Sequence, residues 1–130
     1  MIVLDASVVI EILLQNEDGL RLQERVLDRE QRPNAPHLLD VEVAQVVRPY
    51  WLAGQLTAER AQEMLDDLIV LPIQRYAHAI LVPRIWELRE NLTAYDATYV
   101  ALAEALDAPL LTRDRRLAAA PGHRAGVELV

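Results

Sequence analysis

Four acidic residues stand where an acid is costly or conspicuous. Asp5 follows the apolar run Ile2-Val3-Leu4 and precedes Val8-Val9-Ile10, and Asp114 follows Leu110-Leu111-Thr112-Arg113. Glu42 interrupts a helical stripe made by Leu39, Val43, Val46 and Val47, three residues after the first and four before Val46, so it points the same way as its apolar neighbours. Asp96 opens the run Ala97 to Leu106. An ionised carboxylate among apolar groups needs a cationic partner or a raised pKa. Single acids also have ordinary explanations: Asp5 and Asp114 can cap following helices, and Thr93-Ala94-Tyr95-Asp96 matches a capping box with aspartate in the fourth place. As a set the four acids predict something else. Hard oxygen donors in a chain without cysteine favour magnesium or manganese over zinc. A divalent ion among them would activate water and offset the charge that builds on a phosphate, which is the chemistry of phosphodiester hydrolysis.

The elements that must carry these acids follow from pattern. Met1 to Asp5 reads as a buried strand, and Ala6 to Leu14 as an apolar helix stopped by Gln15-Asn16-Glu17-Asp18-Gly19. Leu20 to Arg29 reads as a helix, Pro33-Asn34-Ala35-Pro36 as a loop, and His37 to Val47 as a helix that Pro49 should kink or stop. Thr57 caps a further helix through Ala61, Met64, Leu65 and Leu68, and Ile69 to Ile73 reads as an edge strand. Ala77 to Glu90 and Ala94 to Leu106 are predicted helices, Pro109 to Thr112 a strand, Asp114 to Ala119 a short helix, and Val127 to Val130 a last strand. Strands alternating with helices predict an α/β fold with a central, mostly parallel sheet flanked by helices. With 130 residues and no linker or repeat, one domain over 1–130 is expected.

Composition narrows the class. No apolar run approaches the ~20 residues of a membrane helix, and no basic stretch precedes an apolar one at the start, so a soluble, cytoplasmic protein is expected with no membrane partner. The net charge of -7 argues against a sequence-independent nucleic-acid coat but not against a nuclease, whose bound ions return positive charge locally. All 13 basic residues are arginine. Arg113, Arg115 and Arg116 cluster beside Asp114 and are candidate phosphate contacts, although a solvated helix face explains them as well. His37, His78 and His123 have no metal-ligand spacing and no serine partner, so no catalytic role is assigned. Trp51, Trp86, Tyr50, Tyr76, Tyr95 and Tyr99 could stack bases; core or dimer packing is the simpler expectation, with Tyr99 and Trp86 among apolar neighbours.

The stretches Val3-Leu4-Asp5-Ala6-Ser7, Pro36 to Val43, Asn91 to Glu104 and Leu110 to Leu117 together resemble PIN-domain ribonucleases, and more narrowly the VapC-type toxins of toxin–antitoxin pairs. The resemblance spans nearly the whole chain, with its blocks in order. It implies a three-layer PIN-like domain and a metal-dependent endoribonuclease in which Asp5, Glu42, Asp96 and Asp114 surround magnesium or manganese. Ser7, Thr112 and Asn91 match accessory polar positions. It further implies a homodimer, and inhibition by an antitoxin whose basic tail segment lies across the toxin, with DNA contacted only through that partner. Arg48-Pro49 departs from the pattern, and Thr57 to Tyr76 carries no signature. Two rivals remain: phosphoryl transfer through an aspartyl intermediate at Asp5, weakened because Asp5-Ala6-Ser7 lacks a second acid, and a non-catalytic module that uses its acids to engage a basic partner.

Overall fold

The computed structural model describes residues 1–130. Its elements are β1 (Ile2–Leu4), α1 (Ala6–Leu14), α2 (Glu17–Val26), β2 (Pro33–Pro36), α3 (Leu38–Leu52), α4 (Ala58–Val70), β3 (Gln74–Tyr76), a 3-10 turn (Ala79–Leu81), α5 (Val82–Glu87), α6 (Ala94–Leu106), β4 (Leu110–Thr112), α7 (Arg115–Ala119) and β5 (Val127–Leu129). The five strands form one sheet in the order β3-β2-β1-β4-β5, and every pairing is parallel. The expected α/β architecture is therefore present, and the sheet is wholly rather than mostly parallel.

Two apolar clusters cover the faces of the sheet. Ile2 and Leu4 face the side packed by Val9, Ile12, Leu39, Val43 and Met64 from α1, α3 and α4. Val3 and Leu110 face the side packed by Tyr99, Val100 and Leu102 from α6 and by Leu117 from α7. Neighbouring residues of β1 thus point to opposite faces, as a strand requires, and three layers result.

Chain order places the site. From β1 the chain builds outward through β2 to β3, then returns across β1 to lay down β4 and β5 on the other side. A parallel sheet wound this way opens a crevice where its order reverses, outside the carboxyl ends of the two strands concerned. Here those strands are β1 and β4, and the residues just beyond them are Asp5 and Arg113-Asp114.

Five sequence expectations are corrected. Pro33–Pro36 is not a loop but a buried strand between β1 and β3. Its prolines occupy the first and last positions, where a missing N–H costs least, and Asn34 donates from its side chain to Ile2 O at 3.0 Å. Pro49 lies inside α3, which runs on to Leu52; the proline is on the exposed side and the ladder closes beyond it through Ala53 N–H to Pro49 O at 2.9 Å. Ile69 and Val70 belong to the end of α4, where they are exposed, and the strand begins only at Gln74, after Pro72. The helix expected from Ala77 to Glu90 is reduced to the 3-10 turn and α5, with Pro83 in the first turn of α5. The turn cluster after Leu14 is also shorter than expected. Asn16 caps α2 by accepting from Gly19 N–H at 2.8 Å, and Gly19 lies inside that helix at a point where a Cβ would collide with the carbonyl oxygen of Glu11.

Candidate active site

Asp5 caps α1 from the tip of the central strand. Its Oδ1 accepts from Ser7 N–H at 2.8 Å and Val8 N–H at 3.3 Å, and also from the Ser7 hydroxyl. Its Oδ2 accepts from the Thr112 hydroxyl at 2.5 Å across the β1–β4 seam. Both hydroxyls are held in turn: Ser7 Oγ accepts from Arg113 N–H and Thr112 Oγ1 from Asp114 N–H, each at 2.9 Å. The capping explanation of Asp5 is therefore correct and incomplete. The residue is 6% exposed with no arginine paired to it, and burial pushes its pKa up against the pull of these hydrogen bonds.

Glu42 is half-buried on α3, beside buried Leu39 and Val43. Val46, expected on the same buried stripe, is exposed, so the apolar face of α3 is narrower than its sequence suggests. Glu42 Oε2 accepts from the Tyr99 hydroxyl at 2.7 Å. Burial raises the Glu42 pKa, the Tyr99 bond opposes the rise, and the charges of Asp96 and Asp5 add to it. Asp96 is half-buried in the first turn of α6, where Thr93 Oγ1 accepts from its N–H at 3.2 Å; the reciprocal bond of a capping box, from the Thr93 N–H to the Asp96 carboxylate, is not made, so Thr93 acts as a simple N-cap. Its carboxylate accepts no hydrogen bond; burial raises its pKa, with the charges of Asp114 and Asp5 acting the same way and Arg116 opposing. Asp114 caps α7 through Arg116 N–H at 2.8 Å.

The four acids therefore share one electrostatic basin at the carboxyl ends of β1 and β4. They do not converge into a preformed metal cage: no group of three or more acidic or imidazole side chains stands at ligand geometry. Two come from strand tips and two from helices, and their backbones set them around an opening. A cavity of about 190 Å³ is lined by Asn91, Thr93, Asp96, Asp114 and Arg116, and a second of about 500 Å³ by Ala6, Glu42 and Tyr95 among others. Asn91, an accessory position by resemblance, is thus on the wall with Asp96 and Asp114, its amide packed against Gly122, whose φ of +90 suits glycine.

The three arginines after Thr112 part company. Arg116 is 4.0 Å from Asp114 and lines the smaller cavity, whereas the Arg113 guanidinium lies 3.8 Å from Glu11 and 3.9 Å from Asp18. Arg115 is exposed and lines neither cavity. None of the three histidines lines either cavity. Tyr99 is buried as expected, but its hydroxyl has a partner the sequence did not disclose. Trp86, expected among apolar neighbours, is 67% exposed.

The sequence profile of the PIN domain matches residues 2–122. The chain belongs to the PIN-domain family. Ribonuclease VapC1 of Mycobacterium tuberculosis is 46% identical over 129 residues, covering 98% of this chain and 96% of that one. Ribonuclease VapC12 of the same organism is 36% identical over 130 residues, covering 100% and 99%. Among solved structures, VapBC2 from Rickettsia felis, bound to a DNA fragment from its promoter, superposes with a TM-score of 0.72 at 16% identity over 99% of this chain and 98% of that one. That likeness supports the PIN fold, whose sheet and helical layers are those described above.

Proposed function

We propose that this PIN-domain chain is a divalent-metal-dependent endoribonuclease acting as the toxin of a toxin–antitoxin pair. The observation that carries the reading is Asp5: a buried carboxylate, unpaired in a chain with 13 arginines, at the point where the sheet order reverses and in the field of Glu42 and Asp96. The strong likeness to ribonucleases VapC1 and VapC12 supports RNA as the substrate. The donor set suits magnesium or manganese, because it is all oxygen, lacks thiolate and holds uncompensated negative charge. Asp5, Glu42, Asp96 and Asp114 would hold the ion, which when bound supplies an activated water and neutralises charge on the scissile phosphate.

The chain's own residues divide the remaining work. Ser7 and Thr112 orient both oxygens of Asp5, as outer-shell partners of a metal ligand do. Asp96, whose carboxylate has no hydrogen-bond partner, is free to turn toward an ion, and Arg116 at the rim presents a guanidinium to the incoming backbone phosphate. The apolar groove along α3, lined by Val41, Val46 and Tyr95 together with Glu42, suits an antitoxin segment, and the net charge of -7 favours a basic one. Exposed Ile80, Val82 and Trp86 offer an apolar face of the kind a homodimer buries. No helix is long and apolar enough to cross a membrane, and we place the activity in the cytoplasm.

Asp5→Asn tests the reading. It keeps the side-chain shape and the oxygen that caps α1, so the fold should persist while Mn²⁺ binding by calorimetry and cleavage of a fluorescent RNA both disappear. A wild-type chain that binds no Mn²⁺ and cuts no RNA, yet still engages a basic peptide, would favour the non-catalytic binding module instead.

A further inference from the structure

Glu42 has one hydrogen-bond partner, and it comes from the opposite helical layer. Glu42 is on α3, which packs on the same face of the sheet as α1 and α4, whereas Tyr99 is on α6 on the other face. Their bond, Tyr99 hydroxyl to Glu42 Oε2 at 2.7 Å, joins the two layers beside the site. Tyr99 is 1% exposed and is the bulkiest side chain of the fully buried core. Packing alone would be served as well by phenylalanine; a buried phenolic O–H needs a partner, and Glu42 is the one it has.

Space around Glu42 makes this bond decisive. The cavity of about 500 Å³ beside it leaves room for the side chain to swing along α3 past Val41 and Gln45. A glutamate on an open helix face samples several staggered rotamers. The hydroxyl selects one of them and leaves Oε1 as the oxygen without a hydrogen-bond partner. On α6, Tyr99 follows Asp96 by three residues, so the two lie on one face of that helix. The same turn that carries one acid of the basin therefore fixes another.

We infer that Tyr99 is a positioning residue, holding Glu42 in the orientation in which it serves the metal site. The inference rests on the proposed function, which makes Glu42 a ligand, and adds a residue outside the acidic set. It places Tyr99 for Glu42 where Thr112 and Ser7 stand for Asp5.

The test compares wild type, Tyr99→Phe, Glu42→Gln and the double variant by three measurements: Mn²⁺ calorimetry, thermal melting, and steady-state cleavage of a short RNA. Tyr99→Phe should weaken Mn²⁺ binding on the order of ten-fold, the range seen when an outer-shell partner is removed. It should lower kcat while leaving KM for the RNA unchanged. In the Glu42→Gln background the same change should add nothing, because there is no carboxylate left to orient. Wild-type Mn²⁺ affinity in a folded Tyr99→Phe protein, or an equal loss in the Glu42→Gln background, overturns the inference. Should Tyr99→Phe fail to fold, Tyr99→Met removes the hydroxyl with a smaller, flexible side chain that can adapt to the core, and is read by the same criteria. Wild type that binds no Mn²⁺ overturns the proposed function and the inference together, whereas wild type and Tyr99→Phe binding equally well overturns the inference alone.

Discussion

Two carboxylates at opposite ends of the sheet are both buried and are treated in opposite ways. Glu104, near the end of α6 where β4 and β5 begin, has a side chain 2% exposed. Arg84 donates to its two oxygens at 2.9 and 3.1 Å, Arg124 lies at 3.5 Å and donates its N–H at 3.2 Å, and these partners overcome burial to hold the carboxyl below its ordinary range. Asp5, at the carboxyl end, is buried too but is met only by hydroxyls and backbone N–H groups, and burial drives its pKa up. Arginine is not scarce in this chain, so its absence around Asp5 is a property of the fold. A guanidinium at Asp5 would stabilise the metal-free protein and compete with a cation. The Glu104 end commits its acid to structure and the Asp5 end keeps its acids available.

Four experiments probe that contrast, in order of expected effect. Asp5→Asn should cut RNA cleavage by at least about a hundred-fold, as losing a central electrostatic group does, while Glu104→Gln leaves cleavage by the folded protein unchanged; a fluorescent RNA assay on both separates them. In urea denaturation, Glu104→Gln should lose about 1 kcal/mol, because the charge-assisted bonds from Arg84 become neutral ones and Glu87 is the one carboxylate Arg84 keeps.

The third experiment is pH dependence without divalent ions. Asp5, Glu42 and Asp96 have raised pKa values, so between their ordinary and folded values the native state binds protons the unfolded chain does not. Stability must rise as pH falls through that window and decline as pH rises through it. Glu104 has the opposite sign: its stabilisation is present above the ordinary value of 4.5 and is lost as pH falls through its lowered value. Melting temperature against pH should show both limbs, with Asp5→Asn weakening the first and Glu104→Gln the second. Smallest of all, Arg116→Ala should raise KM for RNA a few-fold with melting temperature unchanged, since its side chain is 96% exposed. A large loss of kcat in that variant would move Arg116 from the rim into the chemistry.

Much of the site is legible in the residues and their spacing. Asp5 and Glu42 are conspicuous because an acid among apolar residues has few ordinary explanations, and the Thr93 N-cap of α6 follows from spacing alone. The α6 boundaries, β4 and α7 follow from pattern for the same reason: their signals lie within a turn or two of the residues they control. The departures from pattern share a cause too. Pro33–Pro36 reads as a loop because proline cannot donate, yet neighbouring strands on both sides make it sheet. Ile69 and Val70 read as strand because they are apolar and β-branched, yet α4, capped at Thr57 and packed through Met64 and Leu68, carries them past the core to its exposed end. Tyr99 is legible as core and illegible as a partner of Glu42. With no phenylalanine anywhere in the chain, a buried tyrosine gives no hint that its hydroxyl matters.

What the sequence determined by itself is the inventory and its local geometry: acids placed at predicted strand tips and helix starts, alternating strands and helices, and no thiolate to compete as a ligand. What only the tertiary structure decided is which acid receives which partner. Thr112 reaches Asp5 across 107 positions, Tyr99 reaches Glu42 across 57, and Arg84 reaches Glu104 across 20. Helical and strand periodicity govern neighbours a few residues apart, whereas these pairings depend on how parallel strands and two helical layers are brought together. One end of the sheet closes on its carboxylate with arginine and the other leaves Asp5 without one.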